Sequence, residues 1–464
     1  MKTLSKTIQY NTQLFYKLID KRNSILKLWL VSILYFFSIP AWAATYYVSN
    51  TGSNSNSGNI SSPWLTIQFG VDRLNAGDTL LIENGNYNGF LVTRGGTSTA
   101  RITIQANGDA VNIISDSGIG DDPNEFITIN NSSYITIDGF NIAGDHTRGN
   151  GFGTHGATPS NPMHGLIIKN NTIFNAGSSS SPGNTCLYVS NASETLLENN
   201  SLYGCSEHGI YIANAGAKNV IVRHNKIYNN GVEGIHNNGD RFSGGDGLIT
   251  GLVISHNEIF NNGQSAISMD GVQDSMISNN LIYNNARHGI GGYAIDGSAG
   301  PKNLIIVNNT FNANSSFAVR FSEDEGNHII FNNILLSNAG SIRSDSITAA
   351  SSYISDYNIT TNNFSTNSGN TIIDLQQWNQ INQQDGNSFI DTANNLFTDH
   401  NNDDYSLSNN STAINSGINS IASTSAPDND YKETTRPQGK YFDIGAYELA
   451  VPPAPTGVNA QPLN

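Results

Sequence analysis

The sequence VIVRHNKIY (residues 220–228) decides the fold, because close variants of it recur along the chain. Most copies place alternating apolar and polar residues on both sides of an Asn. The other copies along the chain are ITIDGFNI, IIKNNTIF, LLENNSLY, VISHNEIF, MISNNLIY, IIVNNTF and IIFNNIL. The shared Asn recurs every 23 to 32 residues, at Asn171, Asn200, Asn225, Asn257, Asn280, Asn309 and Asn333. A unit of this size cannot bury its own apolar face, so the copies are predicted to stack as a solenoid.

The repeating unit is made of β-strands, because its apolar residues alternate with period two in runs of only three to five residues. Turn sequences such as NAG and NNG separate the runs. An Asn at the same turn of every coil can hydrogen-bond to its copies above and below. We predict an all-β fold, a right-handed parallel β-helix with three short strands per coil, since a β-propeller needs longer, four-stranded repeats.

The two ends of the chain differ from the repeats. Basic residues precede the apolar run LWLVSILYFFSI, and AWA at 41–43 supplies small residues at a cleavage site. Residues 1–43 are therefore predicted to be a signal peptide of a secreted protein, extracellular or periplasmic, with an uncleaved anchor as the alternative. The predicted segments after it are an N-terminal cap with the first coils (44–110), β-helix repeats (111–345), irregular final coils with a C-terminal module (346–449), and a Pro-rich linker (450–464).

The charge of the chain restricts its partners. Of 22 basic and 37 acidic residues, removal of residues 1–43 leaves 16 and 36, a net charge of −20. A polyanion repels nucleic acid and anionic lipid, so we expect neither as a partner and predict a monomer. The two cysteines, Cys186 and Cys205, can pair in an oxidising compartment, and both the paired and the free form remain open.

A second strand follows the turn after each Asn, and its outward side chains are unusually reactive. The inward residues are predicted to be Leu187, Ile210, Ile235, Ile267, Ile290, Val319 and Ile342. Three outward or edge rows accompany them: Tyr188, Tyr211, His236, Ser268, Gly291, Arg320 and Arg343; Ser190, Ala213, Asn238, Asp270, Tyr293, Ser322 and Asp345; and Thr185, His208, Glu233, Ser265, His288 and Phe317. The strands of the Asn repeats instead carry mostly Lys, Glu, Ser and Asn outward, as a solvated surface does. The functional groove is therefore predicted on the face that carries the three reactive rows.

Several segments resemble secreted bacterial right-handed β-helix proteins of the pectate-lyase-like superfamily. They are YYVSNTGSNSNSGNISSPWLTIQFGVDRLNAGDTLLIENGNY (46–87), NNGDRFSGGDG (237–247), AISMDGVQDS (266–275) and HGIGGYAIDGSAGPKN (288–303). The resemblance implies that TIQFGVDRL caps one end of the helix and that the groove binds a polysaccharide. The linker VPPAPTGVNAQP (451–462) resembles the beginning of a fibronectin type III domain, which implies a lost fibronectin-type or anchoring module.

For an acidic polysaccharide the resemblance implies a lyase that cleaves by β-elimination. Such an enzyme neutralises the uronate carboxylate, removes the C5 proton and stabilises the negative charge that results. The rows contain no Lys, so the candidate catalytic residues are His236, Arg287, His288, Tyr293 and Arg320. The candidate substrate-binding residues are Tyr211, Asn238, Arg241 and Ser268. Because His236 and Arg320 are three coils, or ~14 Å, apart, they cannot act on one atom.

Calcium is the cofactor expected for an acidic protein that binds an acidic polymer, because carboxylates hold hard cations. The candidate ligands are Glu233, Asp240, Asp246 and Asp270, although Asp-Gly pairs are also turn sequences. The alternative functions are a glycoside hydrolase that uses Asp240 and Asp270 as its carboxylate pair, and a non-catalytic carbohydrate-binding or adhesive protein.

Other ionisable residues are predicted to be structural or solvated. Arg343 and Asp345 are expected to be surface ions near the end of the regular stack. His146, His155 and His164 lie in an irregular insertion (144–165), and a functional role is not expected for any of them. The residues of the opposite turn, His224, Lys226, His256 and Glu258, are expected to be solvated.

Overall fold

The computed structural model describes residues 43–119, 125–144, 149–177 and 184–450. The predicted signal peptide and Pro-rich linker therefore lie, but for one residue each, outside the described residues, as does His146, and secretion stays a prediction. No helix within the described ranges is long and apolar enough to cross a membrane. The described chain is a parallel β-helix, as the period of the repeat predicts.

Two of the three strands in each coil flank the repeated Asn, and each stacks in parallel on its copies. The strands before the Asn form ladder 1: Thr45–Val48, Thr79–Asn88, Ile102–Ser115, Ile135–Asp138, Ile167–Lys169, Leu196–Glu198, Ile221–Arg223, Val253–Ser255, Met276–Ser278, Ile305–Val307, Ile329–Phe331 and Ile354–Asp356. The strands after it form ladder 2: Asn141–Ala143, Thr172–Phe174, Ser201–Tyr203, Lys226–Tyr228, Glu258–Phe260, Leu281–Tyr283, Thr310–Asn312, Ile334–Leu336, Ile359–Thr360 and Phe389–Ile390.

The third strand of each coil forms a separate ten-stranded parallel sheet, here called the groove sheet. Its strands are Phe90–Val92, Ile127–Asn130, Phe152–His155, Leu187–Ser190, Ile210–Ala213, Ile235–Asn238, Ile267–Asp270, Ile290–Tyr293, Phe317–Phe321 and Gly340–Arg343. Four small two-stranded pairs complete the strands: Met163–His164 with Ala192–Ser193, Ile249–Thr250 with Val272–Gln273, Phe397–Asp399 with Asp404–Leu407, and Ser420–Ile421 with Thr424–Ser425.

Helices are short and lie at the two ends of the described chain or in loops. The α-helices are Ile67–Val71, Ile347–Ala350, Leu375–Asn382 and Ala393–Leu396, and the 3-10 helices are Arg241–Ser243 and His400–Asn402. The first α-helix confirms the predicted cap. Thr66 accepts a hydrogen bond from the Phe69 amide at its start, and Ile67 and Val71 are buried.

The core is a stack of apolar side chains from equivalent positions in successive coils, as predicted. Ile210, Ile235 and Ile267 pair in register in the groove sheet and are fully buried. The Asn repeat is also confirmed, since Asn225 donates through its amide to Asn257 Oδ1 at 3.0 Å and accepts from Asn200 at 3.0 Å. Each of these buried side chains thus satisfies backbone and side-chain groups that a closed coil would leave without partners.

A second Asn ladder, which the sequence analysis did not single out, runs beside the first. Its members are Asn230, Asn262, Asn285 and Asn314, linked by side-chain hydrogen bonds of 2.9 to 3.0 Å. Cys186 and Cys205 form a disulfide, which closes the open question about these two residues.

The C-terminal segment folds back along the solenoid and covers part of ladders 1 and 2. Leu281, Tyr283 and Ile334, whose side chains were expected on a solvated face, are buried against residues such as Leu407 and Ile444. Backbone contacts fasten the segment, because the Asn308 side chain donates to the Asp443 and Gly445 carbonyls. The prediction of a wet outer face is therefore wrong where the segment covers the ladders. His224, His256 and Glu258, which were expected to be solvated, are only partly exposed.

Candidate active site

The register of the groove sheet places the outward side chains in the predicted rows. Tyr211 pairs with His236, His236 with Ser268, Ser268 with Gly291, and Gly291 with Arg320. His236 and Arg320 are therefore three coils apart, as predicted. The groove sheet thus presents two separate groups of reactive side chains, one on each side of Gly291 and Ser268.

A cavity of about 530 Å³ opens on the groove sheet around Gly291. It is lined by Glu233, Gln264, Ser265, Ser268, Arg287, His288, Gly291, Tyr293, Ile295, Arg320, Ser322, Glu323, Arg343, Asp345 and Ser368. Gly291 forms its floor, because a Cβ there would meet only the Ser265 hydroxyl at 3.6 Å and the His288 ring at 3.8 Å. A cleft of about 400 Å³ at the N-terminal cap has Tyr87 as its only ionisable lining residue. The groove cavity is the candidate active site, because it lies on the predicted groove face and brings together guanidinium, imidazole, phenol and carboxylate groups.

Three guanidinium groups line this cavity, those of Arg287, Arg320 and Arg343. Burial lowers the pKa of Arg320, and the positive charges of Arg343 and Arg287 lower it further, whereas Glu323 and Asp345 raise it. The Nε atoms of Arg320 and Arg343 are buried and have no hydrogen-bond partner among the described residues. The cavity therefore combines three guanidinium groups with the carboxylates of Glu233, Glu323 and Asp345.

His288 and Tyr293 lie in the same cavity, and both side chains are neutral at neutral pH. Burial lowers the pKa of His288 to about 3, and the cations of Arg320, Arg287 and Arg343 contribute. Burial raises the pKa of Tyr293 to about 12, and the negative charges of Glu233 and Asp270 add to this effect. At neutral pH the cavity thus offers a neutral imidazole that can accept a proton and a phenol that can donate one.

Arg343 and Asp345 were expected to be surface ions, and the structure places both, partly exposed, in the lining of the cavity. The register partner of Arg343 is Arg320. The sequence carried the signal, since Arg343 lies on the same row as Arg320. The end of the regular stack at this point had argued against a functional role.

The other group of reactive side chains is centred on His236. Glu233 accepts from His208 Nδ1 at 2.9 Å, and His208 Nε2 lies 3.3 Å from His236 Nδ1. The Tyr211 ring stacks on His236 with the centroids 4.7 Å apart. Burial and the adjacent His208 lower the pKa of His236 to about 4, so His236 is neutral at neutral pH. His236 does not line the cavity, and His208 is a site residue that the candidate set lacked.

A further pair extends the groove toward its N-terminal end. His155 Nε2 lies 2.9 Å from the buried Glu125 carboxylate, and the His155 ring is 5.7 Å from that of Tyr188. Gly153 makes room for this carboxylate, because a Cβ at Gly153 would lie 2.2 Å from a Glu125 oxygen. No role was expected for His155, because it lies in an irregular insertion.

The four predicted calcium ligands are not brought together. The Asp270 carboxylate is 2% exposed and accepts three backbone amides, from Ile295 and Gly297 at 2.9 Å and from Asp296 at 3.0 Å. Among the described residues, neither group of His, Cys, Asp or Glu that could hold a metal includes Asp240, Asp246 or Asp270.

The other two aspartates of that set also have structural partners. Asp246 pairs with Lys218 at 2.5 Å, and Asp240 caps the helix Arg241–Ser243 by accepting from the Phe242 amide at 2.9 Å. These residues do not fit a calcium site, and no catalytic step is derived through one. The turn alternative given for the Asp-Gly sequences accounts for both side chains.

The remaining substrate-binding candidates divide between the two groups. Ser268 lines the cavity and donates to Glu233 at 3.3 Å. Asn238 donates to the Tyr211 hydroxyl at 3.3 Å, near His236. Arg241 donates to the Gly297 carbonyl at 3.1 Å and does not line the cavity.

Comparison with known proteins agrees with this architecture. The family described as "Right handed beta helix region" matches residues 88–240 and 235–364, more than half of the chain. The chain therefore belongs to the right-handed β-helix family. Among curated protein sequences, none matches the chain significantly.

Solved structures with the same fold share little sequence with the chain. Pectate lyase Pel9A is 14% identical with a TM-score of 0.58, over 87% of this chain and 96% of that one. XylC in complex with xylose is 12% identical with a TM-score of 0.50, over 87% and 98%. The GH136 lacto-N-biosidase from Eubacterium ramulus is 14% identical with a TM-score of 0.48, over 68% and 67%. The likeness to Pel9A and XylC establishes the fold alone at these identities, and activity must be argued from the site.

Proposed function

We propose that this protein is a secreted polysaccharide lyase that cleaves an acidic, uronate-containing polysaccharide by β-elimination in the groove cavity. One observation carries the proposal. Arg287, Arg320 and Arg343 line a single open cavity, together with Glu233, Glu323 and Asp345, although the chain has a net charge of −15. A guanidinium binds a carboxylate with two parallel hydrogen bonds, so three of them in one cavity support a uronate substrate.

The substrate is proposed to be a polymer, because the groove continues beyond the cavity. Parallel coils are ~4.8 Å apart, so an extended chain can present about one sugar ring to each coil. Tyr211 and His236 would bind sugars next to the one held in the cavity. The fold of pectate lyase Pel9A supports the proposal, since it shows that this architecture hosts a lyase.

The cavity residues supply the parts that β-elimination requires. The arginines neutralise the uronate carboxylate, which makes the C5 proton more acidic, and they stabilise the charge that develops on that carboxylate. The bound uronate carboxylate offsets the arginine charges that lower the pKa of His288, which makes His288 a stronger base than in the empty cavity. His288 accepts the C5 proton, a double bond forms between C4 and C5, and the bond from C4 to the glycosidic oxygen breaks. Tyr293 donates a proton to the leaving oxygen, and solvent then restores both side chains.

The hydrolase alternative has lost the carboxylate pair on which it depended. Asp270 is committed to three backbone amides and Asp240 to a helix cap, so neither is free to act as an acid or a nucleophile. Calcium dependence stays a prediction, and secretion belongs to the proposal. The disulfide between Cys186 and Cys205 supports secretion, because disulfides persist in oxidising compartments.

The test is an activity screen on purified protein. Pectate, alginate and glycosaminoglycans are each incubated with and without Ca²⁺, and both ultraviolet absorbance of unsaturated ends and new reducing ends are measured. Unsaturated ends from a uronate polymer are expected. Reducing ends without that absorbance would establish a hydrolase, and binding without either product would establish a carbohydrate-binding protein; both outcomes contradict the proposal.

A matched pair of variants links the activity to the cavity. Arg320→Gln removes a cavity guanidinium, and Arg223→Gln removes a half-exposed one on ladder 1 that pairs with Glu198 at 2.6 Å. Loss of product formation only in Arg320→Gln is expected. Equal activity of the two variants would place the reaction elsewhere.

A further inference from the structure

Two histidines and a glutamate converge outside the groove, where the C-terminal segment crosses the turns between ladders 1 and 2. His224 Nε2 lies 3.1 Å from Glu433 Oε1, and His256 Nε2 lies 4.0 Å from the same oxygen. One ligand atom from each of the three residues lies within 4.8 Å of the other two. The group is therefore compact enough to surround a single ion.

The histidines occupy positions that other coils give to Asn. His224 and His256 have φ values of 55° and 56°, as do the equivalent Asn170, Asn199 and Asn279 within about 4°. The stacking of successive coils places the two imidazole rings 4.8 Å apart with 30° between their planes. The two imidazoles beside one carboxylate thus interrupt a row that is Asn in the neighbouring coils on both sides.

The C-terminal segment holds Glu433 in place above the histidines. Glu433 has a φ of 65°, and its backbone amide donates to the Asp430 carbonyl at 3.0 Å. Its second carboxylate oxygen accepts from Asn429 Nδ2 at 3.2 Å, while Asn279 ties Asn429 to the solenoid with a bond of 2.8 Å. This network leaves Glu433 Oε1 directed toward the histidines.

We propose that His224, His256 and Glu433 bind a divalent transition-metal ion, with Zn²⁺ as the best match. Zn²⁺ favours tetrahedral sites of His nitrogen and carboxylate oxygen about 2.0–2.1 Å from the metal, which places ligand atoms roughly 3.3 Å from one another. The 3.1 Å separation already suits this geometry, and the 4.0 Å separation needs a shift of less than about 1 Å.

The Glu433 side chain has room to make this shift. The Glu433 side chain is 54% exposed, whereas those of His224 and His256 are 28% and 15% exposed. His256 Nε2 now accepts from Asn279 Nδ2 at 3.1 Å and would exchange this bond for the metal, while Asn279 keeps its bond to Asn429. Because Glu433 belongs to the C-terminal segment and both histidines to the solenoid, the ion would fasten the segment to the solenoid.

Metal binding is tested on protein purified without a polyhistidine tag and stripped with a chelator. Titration with ZnCl₂ is followed by calorimetry, CoCl₂ by its visible absorption bands, and CaCl₂ serves as the hard-cation control. One equivalent of Zn²⁺ or Co²⁺ should bind and raise the melting temperature. If neither Zn²⁺ nor Co²⁺ binds, the proposal is overturned.

The variants use the residue that the neighbouring coils carry. His224→Asn, His256→Asn and Glu433→Gln should each weaken Zn²⁺ binding at least tenfold and leave the melting temperature without metal unchanged. His236→Asn removes one member of the group of His208, Glu233 and His236 in the groove. This variant should bind Zn²⁺ as the wild type does. Binding unaffected by the first three substitutions, or a melting temperature that they lower equally with and without metal, would contradict the proposal.

Discussion

The two halves of the groove use the same strand positions for different side chains. On one side of Ser268 the outward row carries Tyr211 and His236, which stack at 4.7 Å, and on the other it carries Arg320 and Arg343. The first half is here called the aromatic half, and the second, which carries Arg320 and Arg343 beside Glu323 and Asp345, the cationic half. Since the strands of both halves pair in register, the difference between them lies in the side chains.

This division gives each half a separate task. A guanidinium group can bind a carboxylate with two parallel hydrogen bonds. Aromatic rings instead offer flat surfaces on which a sugar can stack at modest energy. We therefore expect substitutions in the cationic half to change the chemical step, and those in the aromatic half to change substrate affinity.

Arg320→Gln tests the cationic half most directly and should have the largest effect. Removing one charge-stabilising group from an active site typically lowers kcat about 10²- to 10³-fold. We expect a loss of that size in the formation of unsaturated ends from uronate polymers. Arg320→Lys, which keeps the charge but not the planar donor pair, should retain more activity, and a variant as active as the wild type would remove Arg320 from the site.

Tyr293→Phe should lower kcat about 10²-fold, because the leaving oxygen then lacks its proton donor. The raised pKa of Tyr293 keeps the phenol protonated across the working pH range. The substrate dissociation constant, measured by calorimetry, should change little, since the arginines remain. A loss of affinity that equals the loss of kcat would show that Tyr293 binds substrate rather than transfers a proton.

Asp270→Ala should destabilise the protein by about 2–4 kcal/mol, because three backbone amides lose their acceptor at the boundary of the two halves. Urea unfolding with and without Ca²⁺ measures the loss. Asp246→Ala is the control, because the half-exposed Asp246 should cost less than about 1 kcal/mol. A loss of stability in Asp270→Ala that appears only in the presence of Ca²⁺ would restore the metal-ligand role.

Arg343→Gln should move the acid limb of the pH profile of kcat/KM. His288 must be neutral to accept a proton, and burial together with the nearby arginines lowers its pKa to about 3. Removing one cation raises that pKa, so the activity of the variant should begin to fall at a higher pH than that of the wild type. An unchanged acid limb would exclude His288 as the base.

The fold could be predicted from the sequence because it depends on period. Alternation in runs such as IVRHNKIY fixes which residues point inward, and the interval of 23 to 32 residues fixes the stacking of Asn225 on Asn257. The rows of the groove follow from the same register, so the repeat alone assigns Arg320 and His236 to their coils.

The roles of carboxylates could not be predicted, because they depend on loops without a period. Asp270 occupies a row position that suits a ligand, yet residues 295–297 return to it and occupy its oxygens. The contact of Glu433 with His224 spans more than 200 residues and follows from the path of the C-terminal segment. Nothing in the repeat specifies that path.

Tyr211→Leu tests the aromatic half and should have the smallest effect. Leu keeps an apolar side chain against His236 but removes the flat ring, so a stack of about 0.5–1.5 kcal/mol is lost. KM for a long polymer should rise roughly 2- to 10-fold with kcat unchanged, since the cavity remains intact. The shortest oligosaccharides that fill the cavity should be cleaved as by the wild type, because they do not reach Tyr211. A fall in kcat on such short substrates would mean that the two halves of the groove act together on one sugar.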